Sequence, residues 1–230
     1  MFVIYFFGFS AGYALSSATG RDGTPTYVVI GAHWGTSGIR AAACIAAIFA
    51  IAGFALRWWG SSYHRAGVVY SGSIETATLT AAGPYRFVRN PLYLGNMLQA
   101  VGISSIGPPP VEVICVGLIV AFLMRLIFLE ERYLRAAQGE PYLRYCAAVP
   151  RIIPRLNAPD LPTTGQRPDV AYGFLTELWS LGFAVAMSYL AVTSPRTQLG
   201  TFFALFYASI GLLIVGAIID RRMARPRDAG

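Results

Sequence analysis

Two short stretches of the chain hold most of the side chains able to do chemistry. In one, GPYRFVRNPLYLG, the cations Arg86 and Arg89 stand beside Asn90, followed by Pro91, Tyr93, Leu94 and Gly95. In the other, FLEERYLRAAQGEPYLRYCAAVPRIIP, the adjacent carboxylates Glu130 and Glu131 precede Tyr142, Tyr145 and Arg151. Carboxylates and tyrosine faces suit a cationic ligand, and carboxylates also accept hydrogen bonds from hydroxyls or an amino group. Arginines suit an anionic group, which a guanidinium grips through parallel N–H bonds. The residue types therefore point to holding and orienting a charged ligand. Metal chemistry is not expected, because His33, His64, Cys44, Cys115 and Cys146 share no metal-ligand spacing.

The elements that must position these groups are membrane helices. Of 230 residues, 55% are hydrophobic and 13% charged, where a soluble domain has roughly a quarter charged. Six apolar segments run from Met1 to Thr19, Ile39 to Trp59, Pro91 to Ile106, Val111 to Leu129, Ala171 to Val192 and Leu199 to Ile219. The expected fold is all-α, a polytopic transmembrane bundle of about six spans in a single domain over 1–230. The motif core is 79–156, with additional helices within 1–59 and 171–219. The first segment lacks the basic start of a secretory signal and is expected to be retained. Gly107-Pro108-Pro109-Pro110 should form the corner of a tight hairpin between the third and fourth segments, with Asn90 as N-cap and Pro91 in the first turn of the third. The start of one arm and the end of the other then share a membrane face, which brings Arg86, Arg89, Asn90, Glu130 and Glu131 together.

Charge sets the orientation. The net charge of +7 comes from arginine, with no lysine in the chain. With both termini in the cytoplasm, 15 of the 18 arginines fall on the inner side and Arg21, Arg40 and Arg196 on the outer. The positive-inside bias and anionic headgroups explain the basic character, so no nucleic-acid partner is expected. An arginine-only, alanine-rich composition suits a GC-rich bacterial genome, hence a bacterial inner (plasma) membrane. Gly8/Gly12 and Gly31/Gly35 have the spacing of close helix packing.

Together, GPYRFVRNPLYLG, a helical hairpin and EERYLRAAQGEPYLRYCAAVPRIIP resemble the isoprenylcysteine carboxyl methyltransferase and phospholipid methyltransferase superfamily. The resemblance covers about a third of the chain, residues 79 to 156, and leaves the flanking segments unexplained. It implies an all-helical membrane fold with an S-adenosylmethionine pocket at the inner boundary and a lipid or prenylated substrate that enters between helices. Carried over, the cofactor-contact positions are Arg89, Asn90, Pro91, Tyr93, Leu94 and Gly95, then Glu130, Glu131, Tyr142 and Tyr145. Arg86 and Arg151 are candidates for the substrate's polar head and, with Glu131, for the catalytic set. The family often has Arg-His-Pro where this chain has Arg89-Asn90-Pro91, and an asparagine cannot titrate.

The implied reaction is direct methyl transfer, in which the protein aligns nucleophile and sulfonium and excludes water. A carboxylate acceptor would need only an orienting arginine, whereas an amine acceptor must first lose a proton. Two other readings stay open: an NADPH-dependent sterol-type membrane reductase, which resembles the tyrosine-rich segment ending in VPRIIP, and a non-catalytic transporter or scaffold. The adjacent glutamates favour the methyltransferase over the first. Span centres nearly free of charge, and the absence of an internal repeat, count against the second. No GxGxxG motif supports a Rossmann fold.

Overall fold

A computed structural model describes residues 23–67, 82–161 and 167–193, with isolated positions between 11 and 18 and between 204 and 212. The regular elements among the described residues are all helical: α1 (Thr26–Ala32), α2 (Gly35–Gly67), a 3₁₀ turn (Gly83–Arg86), α3 (Pro91–Ser104), α4 (Pro109–Gln138), α5 (Glu140–Ala148), α6 (Val170–Thr176) and α7 (Leu178–Val192). The expected first and last spans, and the Gly8/Gly12 pair, lie outside the described residues.

Among the described residues two helices are long and apolar enough to cross a membrane, within Gly35–Tyr63 and Pro109–Gln138, and α6 with α7 makes up to a third. Two expectations are corrected. At 14 residues, α3 rises only about 21 Å, short of a bilayer core of about 30 Å. The fifth segment is not one rod, because α6 and α7 meet at 66°. Glu177 occupies the break with bridge-region dihedrals, φ −102° and ψ 11°. Its burial at a kink inside an apolar run demands a partner, and that demand shapes the site described below.

The α2–α3 crossing is built from small residues. A Cβ added to Gly53 would stand 2.6 Å from the Gly95 carbonyl oxygen, and one added to Gly102 would stand 2.5 Å from that of Ala46. Backbone therefore touches backbone, an approach that larger side chains would forbid. The pairing order, Ala46 with Gly102 and Gly53 with Gly95, makes the helices antiparallel, and it sets Arg57 of α2 beside Asn96 of α3. Gly31 and Gly35 sit instead at the α1–α2 turn, where Gly35 has φ +68°, a conformation that glycine adopts without strain.

In α4 the buried face repeats every four residues: Val111, Cys115, Ile119, Leu123, Ile127 and Glu131. The stripe is apolar until its last member. Continuing it carries the Glu131 carboxylate inward, while Glu130, about 100° around the helix, turns out of the stripe. After Gly139, whose φ is +59°, α5 buries Tyr142 and Tyr145 one turn apart.

Candidate active site

The two motif stretches meet around Glu131, whose side chain is 3% exposed. Arg151 donates to it from Nε, 3.1 Å from each carboxylate oxygen, and from Nη2 at 2.9 Å. Arg89 Nη1 lies 3.1 Å and Arg135 Nη2 3.5 Å from its Oε2. Asn90 Nδ2 donates to Oε1 at 3.3 Å and to the Arg151 carbonyl at 3.2 Å. Asn90 was expected to cap α3; its side chain makes no cap bond and ties the two stretches instead. A buried carboxylate is stable only when paired and hydrogen-bonded, and this one has both. The hydrogen bonds from Arg151 to Glu131 hold that guanidinium above the ordinary arginine range.

Backbone contacts close the same seam. The Arg89 N–H donates to the Pro150 carbonyl at 2.9 Å, and the Arg155 N–H to that of Phe87 at 3.0 Å. Tyr145 Oη donates to the Tyr85 carbonyl at 2.7 Å, and Arg86 Nη2 to that of Pro159 at 3.1 Å. Burial pushes the Tyr85, Tyr142 and Tyr145 phenols well above the usual range, so Tyr145 remains a neutral donor in this seam.

Beside the seam opens a cleft of about 310 Å³, lined by Arg57, Tyr85, Arg89, Asn90, Pro91, Leu92, Tyr93, Asn96 and Glu130, within the size range of small-molecule sites. Tyr93 Oη donates to Glu130 Oε2 at 2.9 Å. Arg89 is 10% exposed, and its Nε has no hydrogen-bond partner among the described residues. On the far wall, Arg57 forms a bidentate pair with Glu177, Nε to Oε2 at 2.6 Å and Nη2 to Oε1 at 2.8 Å. Ser61 Oγ also donates to Glu177, at 2.6 Å, and the guanidinium lies 4.7 Å over the Trp179 ring.

Of the residues expected at the site, Arg89, Asn90, Pro91, Tyr93 and Glu130 line the cleft. Glu131, Tyr142 and Tyr145 are buried behind it. Arg86 and Arg151 belong to the seam, and Arg151 is 31% exposed and stacked 4.6 Å over Phe128. Gly95 faces α2 rather than the cleft, packed against the Arg57 side chain, and Leu94 is half-buried. Residue chemistry alone had not singled out Arg57, Tyr85, Leu92, Asn96 or Glu177. A signal for two of them existed: an arginine and a glutamate, each in an apolar run, call for one another.

Among the described residues no group of histidines, cysteines and carboxylates could hold a metal. The arrangement is suited to a polar ligand of mixed charge, with a carboxylate on one wall and guanidinium donors on the others. Residues 41–140 match the family model of phospholipid methyltransferases. The match spans most of α2, the first motif, α3 and α4, under half of the chain, and is consistent with the integral membrane methyltransferases that the motif pair resembles. It points to methyltransferase activity in a membrane protein. No curated protein and no solved structure matches the chain.

Proposed function

We propose that this membrane protein uses S-adenosylmethionine to methylate a lipophilic acceptor, either an isoprenylcysteine-type carboxylate or a phospholipid amine headgroup. One observation carries the reading: at the junction of the two motifs, Glu130 and Tyr93 face a cleft whose rear wall is locked by the Glu131 clamp. The cofactor's chemistry fits what lines it. Glu130 offers a carboxylate to a cation, a hydroxyl or an amino group, the Tyr85 and Tyr93 rings offer faces, and the Arg89 guanidinium on the cleft wall offers donors to an oxygen. The bound cofactor would supply an electrophilic methyl group.

The remaining work falls to the chain. Arg89, Asn90, Pro91, Tyr93 and Glu130 would hold the cofactor, while Glu131, Tyr142 and Tyr145 fix the position of those contacts from behind. Arg86 and Arg151, in the seam beside the cleft, would orient the polar head of the acceptor. A carboxylate acceptor attacks already ionised and needs no base. An amine acceptor loses a proton first, and Glu130 is the carboxylate placed to take it. The arginine bias supports a cytoplasmic position for this end of the bundle, and the arginine-only, alanine-rich composition supports a bacterial inner membrane.

The test is incubation of membranes containing the protein with S-adenosylmethionine labelled on its methyl group, followed by lipid extraction. Label in an extracted lipid, dependent on the protein, is the expected result. Absence of label together with tight NADPH binding would replace this reading with the reductase.

A further inference from the structure

Asn96 was not part of either motif's expected contacts, yet it lines the cleft. Arg57 Nη1 donates to its Oδ1 at 2.9 Å and to the Leu92 carbonyl at 3.2 Å. A guanidinium carries donors only, so this contact fixes which way the amide points: the oxygen toward Arg57, the two N–H groups away from it. Among the described residues nothing accepts from those N–H groups. Arg57 is itself held, because Glu177 takes two of its donors in a planar pair and Trp179 lies under it. Glu177 is almost fully buried, and it reaches the cleft through Arg57. The far wall is thus a relay in which a kink residue sets a cation, the cation sets an amide, and the amide is left with donors at the cleft.

We propose that Asn96 is a ligand-contact residue that binds an anionic oxygen, carboxylate or phosphate, and that Arg57 and Glu177 are the positioning residues that aim it. Glu130 and Asn96 then divide the cleft into an acceptor wall and a donor wall, which orients a ligand of mixed charge in one sense only. This inference deepens the methyltransferase reading and rests on it. Two sources of the oxygen share the chemistry: the amino-acid carboxylate of the cofactor, and the headgroup of the lipid.

The experiment uses the full chain in detergent and in vesicles of total polar lipid extract. Asn96→Asp keeps the side-chain shape and the bond from Arg57 while it removes both donors; Asn96→Ala removes them without adding charge, and serves if the first variant does not fold. Loss of a hydrogen bond to a charged group predicts a weakening of about tenfold or more. A tenfold rise in the dissociation constant of S-adenosylhomocysteine assigns the oxygen to the cofactor. An unchanged constant with a tenfold rise in KM for the lipid assigns it to the acceptor. Glu177→Gln, which weakens the hold on Arg57, should move the same constant in the same direction by less, with kcat largely kept; a purely structural role would lower kcat and active fraction together. Unchanged binding and KM in both Asn96 variants, beside an active wild type, overturn the inference alone. A wild type that neither binds S-adenosylhomocysteine nor labels any lipid overturns the methyltransferase reading and the inference with it.

Discussion

Among the described residues two carboxylates are buried against arginines, and the two centres are built in opposite ways. Glu131 gathers Arg89, Arg135, Arg151 and Asn90 around one acceptor, with partners drawn from the two motif stretches that frame the cleft. Among the described residues Glu177 has one cation, Arg57, across 120 residues of chain, plus Ser61. The first centre is a hub with more cations than anions. The second sets one cation against one anion, and its arginine goes on to Asn96 and the Leu92 carbonyl. The difference separates two jobs: the hub fastens the motifs to each other, and the pair fastens the helices beyond the motifs to the wall of the cleft.

Removing the acceptor from each centre should reveal that asymmetry. Glu131→Ala has the largest expected effect, because it strands Arg89 and Arg151 in a desolvated seam. Breaking a buried ion pair costs about 3–5 kcal/mol, and here several partners are orphaned at once, so folded yield in detergent should collapse together with methyl transfer. Retention of a wild-type unfolding transition would break the comparison, since the hub would then be ornamental. Glu177→Ala should cost about 3 kcal/mol by the same argument, at the lower end because one cation is stranded. The pair, unlike the hub, can be replaced whole: Arg57→Leu with Glu177→Leu should recover most of the lost stability, as apolar substitution of a buried pair often does, while ligand affinity stays low. Thermal unfolding of the single and double variants measures the recovery, and a double variant no more stable than Glu177→Ala would show that the Arg57 bonds to Asn96 and the Leu92 carbonyl carry the stability instead.

Part of the hub was legible in the sequence and the pair was not, for a physical reason. A proline corner between two apolar runs forces the ends of those runs together, so Arg86, Arg89, Asn90, Glu130 and Glu131 were expected as neighbours; Arg86 instead bonds the Pro159 carbonyl, and Arg151 joins Glu131 from outside that set. Which glutamate turns inward was not legible, because the series Ile114, Leu118, Phe122, Leu126 that ends on Glu130 is as apolar as the buried series that ends on Glu131. Nothing local announces that Glu177 meets Arg57. That contact depends on the 66° bend between α6 and α7 and on the glycine crossing that sets α2 against α3, and an apolar run reads as a straight span until the demand of its one carboxylate is considered. The third segment misleads in a related way: α3 is apolar enough to read as a crossing segment, but its 14 residues are too few to cross as a helix alone.

The smallest expected effect on stability belongs to the neighbour of the hub. Glu130 differs from Glu131 by one position, yet it is exposed and its bond is to the Tyr93 hydroxyl at the cleft. Exposed polar contacts contribute about 0–1 kcal/mol, so Glu130→Gln should leave the unfolding transition within about 0.5 kcal/mol of wild type. If Glu130 is the carboxylate that meets the bound cation, methyl transfer should nonetheless fall by roughly tenfold or more, since a hydrogen bond to a charged group contributes about 1.5–3 kcal/mol. Two adjacent glutamates would then separate cleanly, one acting mainly on stability and the other mainly on turnover. Equal losses of stability in both variants would mean that Glu130 belongs to the hub as well, and that the carboxylate serving the ligand must be sought elsewhere on the cleft wall.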